Sequence, residues 1–443
     1  MASAAEQLAA TINFGAIGKA TELRKRILFT LGCLIVFRLG TYLPLPGIDA
    51  QNYLAAFNSV SGGVLGMLNL FAGGAVERMS IFALSIMPYI SASIIVQLMS
   101  GISPSLEALK KEGAAGRQKL NQYTRYLTVL LATFQSFGVA RGLLGSQGVV
   151  IGDPFWFQIS TVVILTAGTM FLMWLGEQIT ARGIGNGISL IIFSGIVANL
   201  PISAVQTLDM GASGSLEMIW IIGIIIMVVA VITTIVFFER AQRRLLVQYP
   251  KRQVGLKMFG GESSHLPLKL NSSGVIPPIF ASSLLLLPLT IVGFSGQSGP
   301  GFLQQVSLYL SHGKPLYMLL YAGLIIFFAF FYTAVVFNPA ETADNLKKYG
   351  GFIPGYRPGK HTADYLDYVL TRLTMVGSLY LAAVCLIPEA LISWKSLPFY
   401  FGGTSLLIVV SVTMDTVAQI HSHLIAHQYE GLIKKAKLKG RRG

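Results

Sequence analysis

Apolar residues in this chain gather in blocks of roughly twenty, and basic residues collect in alternate gaps between the blocks. Stretches such as WIIGIIIMVVAVITTIVFF (Trp220 to Phe238) are apolar on every side. That pattern suits a helix surrounded by lipid; a membrane β-strand would alternate apolar and polar residues over about ten positions. Spans are read at 27–44, 79–100, 123–143, 154–175, 184–204, 217–238, 274–294, 316–337, 369–389 and 399–420. The first block follows Arg24 to Arg26, is long enough to cross, and lacks a small-residue cleavage pattern, so it is read as a retained span.

One stretch breaks the rhythm. LGMLNLFAGGAVERMS (Leu65 to Ser80) is apolar for a few residues, stops at Gly73 and Gly74, and carries Glu77 and Arg78 before a long apolar run begins. The residues alone read 63–74 as a re-entrant or interfacial segment, with a pore plug as one option. The paired glycines supply a hinge free of Cβ constraint.

Ten spans divide into five plus five, and an odd number per half makes the second half run inverted relative to the first. Such repeats commonly build a pathway at their interface. The expected fold is therefore an all-α polytopic membrane protein: a segment 1–26, a first half 27–204, an external linker 205–216, a second half 217–420 and a basic tail 421–443. Composition agrees, with 53% hydrophobic and 12% charged residues.

Of the 33 lysines and arginines, all but Arg38, Arg78, Arg141, Lys314 and Lys395 lie in or beside the tail, the N-terminal segment and the gaps of one side. This asymmetry places both termini and the long loops 239–273 and 338–368 in the cytoplasm. Topology alone explains much of the +14 net charge. Those two loops are nevertheless longer than a connection requires, and they mix charge with glycine, proline and aromatics. Surfaces of that kind dock anionic lipid, a protein partner or ribosomal RNA phosphates.

Ion-coupled transport needs ionisable groups at mid-membrane. Here Arg38, Glu177, Glu239, Glu389 and Asp415 fall at or near span ends, where a local partner is the plainer reading. The six histidines stand in loops and the tail, and HSHLIAH (His421 to His427) reads as an interfacial helix. Cys33 and Cys385 lie inside apolar runs and read as packing residues. No catalytic, metal or cofactor site is expected. What recurs is isoleucine beside weak points of a helix: Ile86 and Ile90 around Pro88, Ile188 and Ile192 after RGIGNG, Ile279 after two prolines, and Ile408 after a double glycine. Taken singly, each reads as a packing or lipid-facing residue.

PYISASIIVQL, KKEGAAGRQKLNQYTRY, FLMWLGEQITARGIGNGISLIIF, SHLPLKLNSSGVIPPIFASS, NPAETADNLKKYGGFIPGYRPG and PFYFGGTSLLIVVSVTMD together resemble the SecY family, the central subunits of bacterial protein-conducting channels. The resemblance runs from about residue 20 into the tail and implies two five-helix halves around an hourglass pore. It places a hydrophobic ring at Ile86, Ile90, Ile188, Ile192, Ile279 and Ile408, where branched apolar side chains exclude water yet deform around a polypeptide. It makes 63–74 the plug, with Leu65, Leu68, Leu70 and Phe71 as apolar contacts and Gly73 and Gly74 as hinge. Gln97, Gln135, Ser282 and Ser283 become polar members of a lateral gate, with ordinary helix-to-helix hydrogen bonds the alternative. Arg357, Lys251, Arg252, Lys257, Lys347 and Lys348 become docking residues for the SecA motor or the ribosome. Where the family pattern has two arginines after KRQVG, this chain has Leu256 and Lys257, which keeps one charge and loses bidentate geometry.

The function so implied is passage of unfolded polypeptides across the bacterial cytoplasmic membrane and sideways release of transmembrane segments, with SecE and SecG as small companion subunits. A secondary transporter of a small solute is the alternative and needs a midplane charged site; an intramembrane enzyme needs a catalytic constellation.

Overall fold

The structure, a computed structural model, describes residues 20–60, 69, 71–145, 148–214, 217–249, 252–254, 257–259, 263–294, 314–395 and 402–440. Its helices in the first half are α1 (Thr21–Gly40), α2 (Ala50–Val60), α3 (Met87–Ile102), α4 (Pro104–Lys111), α5 (Ala114–Gly145), α6 (Pro154–Arg182) and α7 (Gly187–Ala212). The second half holds α8 (Met218–Arg240), strands β1 (Gln242–Gln248), β2 (Arg252–Val254), β3 (Lys257–Phe259) and β4 (Ser263–Lys269), then α9 (Ile276–Phe294), α10 (Pro315–Val336), α11 (Pro339–Lys348), α12 (Lys360–Lys395) and α13 (Gly403–Gly440).

Local chemistry fixes several of these starts. Asp153 accepts from the Phe155 N–H with Pro154 in the first turn of α6, Asn186 accepts from the Ile188 N–H at the head of α7, and Asn338 caps α11 ahead of Pro339. Each of the ten expected spans carries a helix. Among the described residues seven helices are long and apolar enough to cross a membrane, or eight if α3 and α4 form one bent span. The first helix carries Glu22, Arg24, Lys25, Arg26 and Arg38, and α9 contributes the shorter apolar stretch Ile276–Leu285. On α8, Ile219, Ile222, Ile226 and Val229 are all more than half exposed. An apolar face of that extent belongs against lipid.

The helices sort into two groups. In the first, α5 packs on α3 and α6, α6 on α7, and α1 on both α6 and α7; in the second, α10 packs on α9 and α12, and α13 on α8 and α12. The groups meet along two seams, α9 against α3 and α5, and α13 against α7 and α1.

Three expectations on element limits need correction. The second span begins at Met87, not 79. Residues 79–85 instead spend their backbone groups on the loop after α1: the Leu45 N–H donates to Met79 O, the Ile81 N–H to Leu43 O, and Met79 and Ser85 adopt positive φ. The linker expected at 205–216 is helical to Ala212, and the tail expected from 421 continues α13 to Gly440. Loop 239–273 is not merely a charged connection: β1 pairs antiparallel with β4 from Gln242↔Lys269 to Gln248↔Ser263.

Close helix crossings depend on glycine. A Cβ at Gly187 would run into the Gly176 carbonyl oxygen, so α6 and α7 meet backbone to backbone. Gly187→Val should destabilise the protein by about 1–3 kcal/mol, read as a lower thermal unfolding midpoint in detergent. Gly223→Ala, where a Cβ meets nothing within 4 Å, should leave the midpoint in place; equal effects would contradict this packing account.

Candidate functional site

The six isoleucines stand near helix starts. Ile86 caps α3 and Ile90 follows one turn later, Ile188 and Ile192 occupy the first turns of α7, Ile279 the first turn of α9, and Ile408 the second turn of α13. Each start is set by a proline or glycine that interrupts the chain before an apolar run: Pro88, the RGIGNG stretch, Pro277 with Pro278, and Gly402 with Gly403. Four helices from both halves thus converge. Ile86, Ile90, Ile192, Ile279 and Ile408 are buried in one apolar cluster, against which half-buried Ile188 packs. Ile86 and Ile408 have no exposed surface at all.

Phe71 joins the same cluster, 4% exposed. Leu65, Leu68 and Leu70 of the expected plug lie outside the described residues, but the end of that segment is held by specific contacts. Gly73 and Gly74 have φ of +66° and +84°, as a hinge of this shape requires. The Gly73 carbonyl accepts a hydrogen bond from Arg38 Nη1, and Gly73 lies so close to α7 that a Cβ would stand 2.9 Å from Gly195 Cα. The Glu77 N–H donates to Asn69 Oδ1 at 3.0 Å while Asn69 Nδ2 donates to Glu77 Oε2 at 3.2 Å. Tyr53 Oη–H donates to Val76 O at 2.7 Å. Arg78 sits in a turn, its guanidinium 4.2 Å from the centroid of the Tyr42 ring.

The residues expected at a gate lie on α3, α5 and α9, the helices that meet along one seam, but the bonds described for Gln97 and Ser282 run within their own helices. Gln97 Nε2 donates to Ser93 Oγ at 3.1 Å and Ser282 Oγ to Ile279 O at 2.9 Å. Among the described residues Gln97 Oε1 and Ser283 Oγ are buried with no hydrogen-bond partner, and Gln135 is half-buried. A seam that leaves polar atoms unsatisfied when shut is held less firmly than an apolar one.

On the basic side, the two long loops form one body. Gln248 and Phe352 exchange backbone hydrogen bonds of 2.9 Å each way, and Leu245, Val247, Leu268 and Ile353 bury a common core with Leu366, Val369 and Leu370 of α12. Arg357 is exposed on this body, its carbonyl held by Thr362 Oγ1 at 2.8 Å. Lys347 and Lys348 are exposed in the last turn of α11, Arg252 and Lys257 lie on the paired strands β2 and β3, and Lys251 lies outside the described residues. The sequence reading missed this hairpin. Its signal was the alternation in RRLLVQ, which buries Leu245 and Val247 and exposes their neighbours.

The flagged charges sort themselves locally. Glu177 takes a two-pronged contact from Arg125, at 3.1 Å to Nε and 2.6 Å to Nη2. Glu239 accepts from Asn271 Nδ2 at 2.7 Å, Asp415 is exposed, and Glu389 is buried beside Pro388 in α12. Glu177 is thus partly exposed and paired, and Asp415 is exposed, rather than the two meeting as a buried charged pair.

A protein-family model described as SecY matches residues 80–417. The chain is 55% identical over 427 residues to the protein translocase subunit SecY of Escherichia coli strain K12, covering 96% of each chain. A solved protein-conducting channel superposes with a TM-score of 0.67 at 17% identity, covering 90% of this chain and 92% of the other. Sec61 in a canine ribosome–channel complex from the endoplasmic reticulum gives 0.64 at 17% identity with the same coverage. At that identity the two structures speak for the fold.

An apolar cluster excludes ions only while it stays dry. Ile408→Asn should raise the resting ion conductance of planar bilayers containing the purified protein severalfold, and Arg38→Met, which frees the Gly73 carbonyl, should lengthen its open times. Conductance unchanged from the parent in both variants would show that neither contact belongs to a seal.

Proposed function

The chain belongs to the SecY family, and from that premise we infer that it is the channel-forming subunit of a bacterial protein translocase, passing unfolded secretory polypeptides across the membrane and releasing transmembrane segments sideways into lipid. One observation carries the reading: residues from helices of both halves, and Phe71 from the segment between α2 and α3, share a single apolar cluster. Such a contact closes when the halves approach and opens when they part.

At rest the isoleucine ring is the seal. Ions crossing it would lose hydration and gain no charge in return, whereas branched aliphatic side chains can shift around an extended chain of varied sequence. When a polypeptide enters, Phe71 leaves the waist, turning about Gly73 and Gly74, and the Arg38 contact to the Gly73 carbonyl breaks. A sufficiently apolar segment parts α3 and α5 from α9, where the unsatisfied atoms of Gln97 and Ser283 lower the cost of opening, and it escapes into lipid.

The protein is a multi-pass protein of the bacterial membrane. The lysine and arginine asymmetry supports cytoplasmic termini. The role is non-catalytic, so the work comes from outside: from the SecA motor or the translating ribosome, both of which the fused loop body with Arg357 at its tip is suited to receive. A ribosome partner is supported by the Sec61 relative, which was solved in a ribosome–channel complex. Companion subunits of the SecE and SecG kind and anionic lipid complete the assembly.

Charge reversal at the loop tip isolates the docking step from the pore. Arg357→Glu should slow ATP-driven export into vesicles about tenfold or more, as loss of a charged contact at an interface centre commonly does, while SecE still co-purifies. Parent-like export would remove Arg357 from the docking surface.

A further inference from the structure

The seam between the halves is apolar at its waist, yet near the basic loop 101–122 a polar contact closes it. At the end of α3 the chain turns by 99° into α4, a short helix that buries none of its side chains. Lys110, in the last turn of α4, extends Nζ across to the other half and donates to the Val335 carbonyl at the end of α10, 3.1 Å away.

The sequence explains why that carbonyl is available. In a continuing helix the donor to residue 335 would be the N–H of residue 339, but residue 339 is proline and has none. The Phe337 N–H is used by Thr333 O, and the Asn338 side chain faces forward to cap α11. Val335 O is therefore left at the negative end of the α10 dipole, where a cation is favoured. The neighbouring Lys111 does not compete, because it is held by Glu107 at 2.7 Å within α4. Beside the clasp, the ring of Phe331 on α10 lies 3.5 Å from where a Cβ on Gly101 would stand.

We propose that Lys110 is a clasp across the exit seam that helps to set how apolar a segment must be to leave the channel sideways. The proposal rests on the reading of this seam as the lateral exit. Because the contact is exposed and single, it is a bias and not a lock: removing it shifts the balance between shut and open about two- to fivefold, the effect of one cation at an exposed helix end. That size suits a gate which must answer to a modest difference in segment hydrophobicity.

The test uses full-length channels and a secretory precursor carrying test segments of graded leucine content, scored as integrated or translocated. With Lys110→Met, the ratio of integrated to translocated product for a segment at the parent's midpoint should rise two- to fivefold. Lys110→Arg, which can still donate, should hold the parent threshold, and so should Lys111→Met, which removes the same charge from the same helix. An unmoved threshold in Lys110→Met, or an equal shift in Lys111→Met, overturns the clasp. A second arm separates this from the exit reading: Gly101→Cys with Phe331→Cys, in a background with Cys33→Ala and Cys385→Ala, is joined by a short bifunctional thiol reagent. If joined channels still integrate strongly apolar segments, the seam is not the exit; if they stop integrating while Lys110→Met behaves as the parent, the clasp alone is wrong.

Discussion

In the proposed channel, the contact among six isoleucines from both halves has to be watertight and easily broken. Apolar burial meets both demands because it has no direction: each isoleucine removed from water contributes about 1.5–3 kcal/mol, yet no hydrogen bond has to be found again when the surfaces part. Charged or hydroxyl-bearing side chains would hold water in this contact. The six isoleucines lie within a larger buried apolar cluster that draws on helices of both halves. Four helices reach the isoleucine contact by their first two turns, each with glycine or proline ahead of or within its first turn.

A second constraint follows from the solvent. Irregular backbone at membrane depth is tolerated only where its polar groups are paired inside the protein. Residues 71–86 meet that condition through bonds to the loop after α1, to Asn69 and Tyr53, and to Arg38. Without them an unwound stretch this long would have to become helix. The positive-φ glycines 73 and 74 lie within this stitched stretch, where the proposed function sets its hinge.

Much of this was legible in the residues. Apolar blocks of span length located ten helices, and the capping residues Asp153 and Asn186 stand where two of them begin. The ring was not legible from pattern, since a buried isoleucine on a helix is ordinary; only the family resemblance singled out these six, and the structure then gathers them in one cluster. Distant pairings stayed hidden. Nothing near 79–85 announces that its backbone will bond with residues 43 and 45, and the hairpin of β1 and β4 was masked because most of its exposed positions are glutamine, arginine, serine, histidine and lysine, which read as a polar, charged loop. The Lys110 contact was half visible: Pro339 declares an unpaired carbonyl at Val335, but only folding shows which lysine meets it.

The most direct test of the central claim places a photoreactive side chain at Ile192, 4% exposed within the ring, or at Ile226, 63% exposed on the outer face of α8. A secretory precursor is then stalled midway through the channel. The account predicts a crosslink to the precursor from position 192 and none from 226. With the precursor demonstrably engaged, crosslinks from neither position, or equally from both, would contradict the placement of the translocating chain through the isoleucine ring.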